Sequence, residues 1–406
     1  MTTVISPFGK PDPKLPLREG TPPLTRPTKE EIETFPGEAR RLLDETWAAQ
    51  KTLIGSGQYD LRWLEGRHLL LAGATGPGLG GALAAAVLGL GNAASVTILG
   101  RDLKRSLNFE TGRSMQAQAE ATGFGDRFNW FNDGMALDGE PLEKLVTSLT
   151  TVGAERVVYF NTVAAAISGL LPGMPPVFVK DVDENGLFQW QLLPLNEKEI
   201  QITKLVMGEM AVQFRRVLAE HGIVVEATAF ADWRGSLDKI SRDPGQQEYG
   251  RQGAYSTSLY LPKETIQKAT REAIGTKKIV LDIFYPMMRT RALPLIPGGM
   301  TVSYVNEKIM HIEGIRRLEV PELALAGLDY VGKALTEGYD NPFPRADSHD
   351  AHLDEWMFEV LARLNNDEDS EFYYKRWVSG GGSLPHSSAS RQAAARFQLY
   401  GNTGNV

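Results

Sequence analysis

The sequence predicts an α/β fold, a doubly wound parallel sheet, and three observations predict it. Short apolar runs recur along the chain, at His68–Ala72, Ser95–Leu99, Phe128–Phe131, Arg156–Phe160, Val224–Phe230 and Lys278–Phe284. Helix-compatible stretches separate them, and alternation of this kind gives parallel strands joined by crossover helices. A glycine cluster, Gly73-Ala74-Thr75-Gly76-Pro77-Gly78-Leu79-Gly80, sits between the first run and the alanine- and leucine-rich stretch Ala82–Leu90.

The elements follow in order. Residues 1–28 carry Pro7, Pro11, Pro13, Pro16, Pro22, Pro23 and Pro27, which predicts an extended arm. Thr28 and Glu31 have the spacing of a capping box, so a helix starts there, and a second helix covers Gly37–Leu53. After the second strand a helix is expected over Thr111–Ala121, and another starts near Gly139. Between the fourth and fifth strands, VFVKDVDENGLFQWQLLP reads as an inserted β-ribbon covering the active site, turning at Asn185-Gly186. Asn196–Leu218 has helical periodicity, and Lys263–Ile274 reads as a helix. Residues 339–350 form a linker, Leu353–Leu364 a short helical patch, and 379–406 a Gly/Ser-rich, polar tail. The expected organisation is an N-terminal arm with helices (1–64), a Rossmann-like catalytic domain (65–338) and a C-terminal extension (339–406).

Glycines placed after a strand and before a helix let the backbone approach a pyrophosphate, and the helix N-terminus adds N–H groups and partial positive charge. Gly73, Thr75, Gly76, Gly78 and Leu79 are therefore candidate dinucleotide-binding residues. An acidic residue at the end of the second strand would repel a 2′-phosphate. This strand ends Leu99-Gly100-Arg101, followed by Asp102, Lys104 and Arg105. Arg101 suits bidentate phosphate contacts, so NADPH is favoured over NADH. Asp133-Gly134 follows the third strand, where a polar residue meets the adenine; Asp133 as a helix cap is the equal alternative. Asn161-Thr162 lies at the C-terminal edge of the fourth strand, where an α/β sheet places cofactor groups.

Composition closes off other chemistries. The net charge is −7 and the pI about 5.6, which argues against a nucleic-acid partner. There are no cysteines, so disulfides, thiolate nucleophiles and Cys-ligated metals are excluded, and a cytoplasmic setting fits. The six histidines show no metal-ligand spacing, and no metal is expected. No apolar run is long enough to span a bilayer.

Several segments, in order, carry a resemblance to a known family. They are Thr75-Gly76-Pro77-Gly78-Leu79, Asp133-Gly134, Val157-Val158-Tyr159, PLNEKEIQITKLVMG from Pro194 to Gly208, Ala227-Thr228-Ala229-Phe230, and Ala292-Leu293-Pro294-Leu295-Ile296-Pro297. Over roughly residues 65–330 the chain resembles the single-chain trans-2-enoyl thioester reductases, a long branch of the short-chain dehydrogenase/reductase superfamily. The resemblance implies NAD(P)H-dependent saturation of a double bond conjugated to a thioester of CoA or an acyl-carrier protein.

The sequence departs from that family at three places. The family's glycine loop has one more residue before Thr-Gly, and its second strand ends in an acidic residue where Gly100 stands. Its Tyr-x8-Lys pair has no exact counterpart here. One alignment pairs Tyr255 with Lys263; another places Tyr255 at the short-chain dehydrogenase tyrosine and Leu259 at the lysine, leaving Lys263 one turn further on. Tyr249 is a third candidate. A tyrosine hydroxyl can stabilise or protonate an oxygen that gains charge, and an ammonium beside it lowers the tyrosine pKa. Arg289 and Arg291 could hold a carrier phosphate, and Tyr285, Met287, Met288 and Met300 could wall an acyl chain; a basic loop and plain core packing are the alternatives. Two further functions stay open, a ketoreductase using Tyr255 and a non-catalytic NADPH-binding protein. Acyl chain, carrier and oligomeric state are not encoded in any motif.

Overall fold

Runs such as HLLLA and SVTIL are mostly apolar and buried at every position, the polar His68, Ser95 and Thr97 included, because both faces of the strands they form are covered by helices. In the computed structural model the described residues are 29–76, 78–90, 93–100, 107–131, 139–163, 177–182, 188–193, 204–232, 266–275, 277–285, 316 and 318–338. They form a parallel sheet of six strands: β1 (His68–Ala72), β2 (Ser95–Leu99), β3 (Phe128–Phe131), β4 (Arg156–Asn161), β7 (Val224–Asp232) and β8 (Ile279–Phe284). The order across the sheet is β3-β2-β1-β4-β7-β8. The chain moves outward from β1 in one direction, then returns and moves outward in the other. That reversal puts a topological switch point between β1 and β4, where α/β sheets bind ligands. The expected inserted ribbon is a separate antiparallel pair, β5 (Val177–Val182) with β6 (Phe188–Leu193).

One face of the sheet carries α1 (Lys29–Gly55), α2 (Leu79–Leu90), α3 (Leu107–Ala121) and α7 (Val320–Thr336). Its packing is built from small residues. Ala82, Ala84, Ala85 and Ala86 of α2 are buried, which lets that helix lie close to the strands. Bulk comes from aromatics seated on glycines: Trp47 on Gly89, Trp63 on Gly332 and Tyr285 on Gly327. The other face carries α4 (Gly139–Thr151), α5 (Met210–Glu220) and α6 (266–274), with larger side chains such as Leu145, Leu149, Met210, Phe214 and Leu218 in the core.

Three expectations about helices are corrected. The two N-terminal helices are one, α1, which runs through Pro36. A proline inside a helix removes an N–H and crowds the preceding turn. Here Ile32, Phe35, Ala39 and Leu42 form one apolar stripe along α1, and Phe35, Ala39 and Leu42 are buried on either side of the proline. Residues 320–336, which no sequence signal assigned to a helix, form α7, with Pro321 in its first turn. The helix expected over Asn196–Leu218 is described from residue 204 onward, where a π turn at Leu205–Glu209 leads into α5; residues 196–203 lie outside the described residues. The expected N-terminal arm, C-terminal extension and ribbon turn lie outside the described residues.

Candidate cofactor site

Backbone bonds lace the C-terminal edge of the sheet together. The Gly73 N–H donates to the Leu99 carbonyl at 3.0 Å, tying the loop after β1 to β2. The Gly100 N–H donates to the Phe131 carbonyl at 2.9 Å, tying β2 to β3. Thr162, just past β4, donates to the Ala72 carbonyl twice, from its N–H at 2.9 Å and its hydroxyl at 2.8 Å. The ends of four adjacent strands are thereby fixed before any ligand arrives.

Two glycines of this stretch, Gly73 and Gly80, are required by geometry. Gly73 has φ +79°, a conformation in which side chains are strained. A Cβ there would also lie 2.9 Å from Thr162 Oγ1. At Gly80, in the first turn of α2, a Cβ would lie 2.5 Å from the Gly73 carbonyl oxygen and 2.6 Å from Thr162 Oγ1. The loop is thus pressed onto the start of the helix, and the Ala82 N–H bonds back to the Gly78 carbonyl at 3.0 Å. The N–H groups that begin α2 lie within this cradle, in the arrangement that suits a pyrophosphate.

Of the candidates, Gly73, Thr75, Gly76, Gly78, Leu79, Asn161 and Thr162 come together on this edge. Thr75 and Leu79 are buried, while Gly76 and Gly78 are partly exposed. Both ends of the Asn161 amide are engaged within the protein: Nδ2 donates to the Val206 carbonyl at 2.8 Å, and Oδ1 accepts the Val163 N–H at 2.8 Å. Asn161 therefore joins β4 to the π turn. That turn packs tightly on α6, since a Cβ on Gly208 would run into Thr270 and Ile266. Gly208 closes the segment PLNEKEIQITKLVMG, so one residue of that segment has a packing reason. Arg101, Asp133, Gly134, Tyr249, Tyr255 and Lys263 lie outside the described residues, as do Arg289, Arg291, Met287, Met288 and Met300.

Asn108 is a residue the sequence reading missed. It stands in the first turn of α3, and its Oδ1 would be 3.4 Å from a Cβ on Gly76. A polar side chain early in the helix after the second strand was the available signal. Tyr285, a candidate for an acyl wall, is instead a core residue. It is 2 % exposed, its hydroxyl has no hydrogen-bond partner among the described residues, and burial pushes its ionisation far up. Among the described residues no cluster of side chains suited to a metal occurs, and no helix is long and apolar enough to cross a membrane.

No protein-family model and no curated protein matches the sequence. Solved structures do share the fold. A Treponema denticola trans-2-enoyl-CoA reductase in complex with NAD matches with a TM-score of 0.58 at 16% identity, covering 87% of this chain and 91% of that one. A Clostridium acetobutulicum trans-2-enoyl-CoA reductase in complex with NAD matches with a TM-score of 0.55 at 15% identity, covering 87% of this chain and 92% of that one.

Proposed function

We propose that the chain is an NADPH-dependent reductase of the C2–C3 double bond of a trans-2-enoyl thioester. The observation that carries the cofactor part is the cradle after β1, where Gly73 and Gly80 leave no room for a side chain and α2 begins. Gly76, Gly78 and Leu79 would follow the pyrophosphate there, and Arg101 would answer the 2′-phosphate. When bound, a reduced nicotinamide supplies hydride equivalents to the substrate.

Support for the substrate class comes from the segments shared with enoyl thioester reductases and from a fold likeness extending over most of the chain. In this reading Tyr255 donates a hydrogen bond or a proton to the thioester oxygen as charge builds there. Lys263 holds the tyrosine pKa down and steadies the cofactor ribose. The ribbon β5–β6 covers the reacting centre. The carrier is CoA or an acyl-carrier protein, and the setting is cytoplasmic.

NADPH consumption with a trans-2-enoyl-CoA tests the whole reading. Tyr255→Phe should leave folding and NADPH affinity intact and lower the rate by about two orders of magnitude, the scale of a lost general acid. Lys263→Met should reduce both rate and cofactor affinity. Tyr249→Phe is the control, and a collapse there would move the acid to the earlier tyrosine. Reduction of a 3-ketoacyl-CoA with no action on the enoyl substrate would replace the proposal by a ketoreductase.

A further inference from the structure

The meeting of the glycine loop with the end of β2 carries an inference that deepens the dinucleotide reading and rests on it. Thr75 is 5 % exposed. A Cβ built on Gly100 would lie 2.5 Å from Thr75 Cγ2, 2.8 Å from Oγ1 and 3.3 Å from Cβ. Rotating Thr75 about χ1 does not clear that space, because its own Cβ already sits closer than ordinary contact. Neither partner is free to retreat. Gly100 is buried and bonded to Phe131, and the root of the loop is bonded to Leu99 through Gly73. The volume that any side chain at position 100 needs is therefore filled from the loop side.

Position 100 is also where the strand-end rule puts the group that faces the adenosine ribose. A carboxylate there accepts hydrogen bonds from the ribose hydroxyls of NADH and repels a 2′-phosphate. We propose that Thr75 is the specificity-determining residue of this site: by filling the space beside position 100 it compels glycine there, and so keeps a carboxylate away from the 2′-phosphate. Cofactor choice is then a property of the pair. A carboxylate introduced at position 100 alone does not yield an NADH site, because it displaces the loop that holds the pyrophosphate.

The test uses the full chain as wild type, Gly100→Ala, Gly100→Asp, Thr75→Gly, and the doubles Thr75→Gly/Gly100→Ala and Thr75→Gly/Gly100→Asp. Thermal melting without cofactor reads the packing. Gly100→Ala should lower Tm by roughly 1–4 °C, the range for overpacking a buried site in a chain of this size, and the Thr75→Gly background should abolish most of that loss. Dissociation constants for NADPH and NADH, from fluorescence titration, read the selectivity. Gly100→Asp alone should weaken both by about tenfold or more. The double with aspartate should regain NADH and not NADPH, turning the preference round. The proposal is overturned if Gly100→Asp alone reverses the preference at unchanged Tm, or if the aspartate double still prefers NADPH. A wild type that binds neither dinucleotide would sink the cofactor reading itself; a wild type that prefers NADPH with additive variants would sink only the role of Thr75.

Discussion

The two edges of the sheet are closed in different ways. At the C-terminal edge, β1, β2 and β4 are joined by backbone groups, one threonine hydroxyl and glycines that leave space. At the N-terminal edge, two backbone bonds, from the Ala94 N–H to the Arg67 carbonyl and from the Val224 N–H to the Glu155 carbonyl, both at 2.8 Å, are reinforced by long side chains. Glu226 accepts from Arg67 at 2.6 Å and from Arg156 at 2.8 Å, linking β7 to β4 and to the residue before β1. Glu226 occupies the irregularity where the β4–β7 register shifts between Val157 and Val158, and a bulge of this kind re-aims a side chain. Beside it His68 Nδ1 pairs with Ser95 Oγ, both buried, on the first residues of β1 and β2. Charge and side-chain volume are added to the backbone at the edge away from the glycine cradle, while the cradle is kept narrow and lined by main chain. On the proposed reading this is a division of labour: an edge that admits a pyrophosphate is not also filled by the groups that staple it.

The sharpest way to break that comparison is to fill the cradle. Gly80→Val should remove binding of either dinucleotide in a fluorescence titration while circular dichroism stays that of an α/β protein. Retained binding would mean that the narrowness of the loop has no functional meaning. The opposite edge should respond in stability and not in affinity. Glu226→Ala leaves two guanidinium groups without their carboxylate, Arg67 being only 12 % exposed. Urea denaturation should show a loss of about 3 kcal/mol, the low end for a broken buried pair because Arg156 is 44 % exposed. NADPH affinity should be unchanged, and a large affinity loss would show that the two edges are coupled. Arg101→Ala should weaken NADPH by about 1–3 kcal/mol and spare NADH, as expected for one charge-assisted contact. Equal loss for both cofactors would remove Arg101 from the 2′-phosphate.

The smallest effect concerns pH. Burial lowers the His68 pKa from its ordinary 6.5. The fold therefore holds the ring neutral, and the unfolded chain binds the proton more readily. The stabilisation is complete above about pH 6.5 and is lost as pH falls from there toward the depressed folded value. His68→Gln, which retains a partner for Ser95, should flatten this slope between pH 7.5 and 5.5 in denaturation curves, where roughly neutral to mildly acidic buffers bracket the histidine range. An unchanged slope would place the acid sensitivity elsewhere.

The strands and the glycine loop were legible because their signals are local. The runs are short and mostly apolar, and β1, β2 and β3 begin and end where the runs do. What escaped was decided by distant partners. Pro36-Gly37 reads as a break, yet α1 runs through it with Phe35, Ala39 and Leu42 buried. Gly327 and Gly332 depress helix propensity in α7, and their reason is visible only once Tyr285 and Trp63 are seen to fill the space. Gly100 could be read as a missing carboxylate, but the threonine that excludes it belongs to another element. The π turn has no periodic signature, and its link to Asn161 crosses from one chain segment to another.

Gln50 has a consequence for how the protein is made. Its side chain is fully buried, and its Nε2 donates to the Ala82 carbonyl of α2 at 2.8 Å and to the Pro321 carbonyl of α7 at 3.2 Å. During translation α1 emerges before α2, and α7 follows long after both. Until then the alanine-rich flank of α2 has no cover on that side. A ribosome stalled before residue 320 would carry a nascent chain with an exposed apolar helix and a half-made joint, the kind of surface that chaperones bind. This face can close only after residue 321 has been made, because Gln50 bonds both helices.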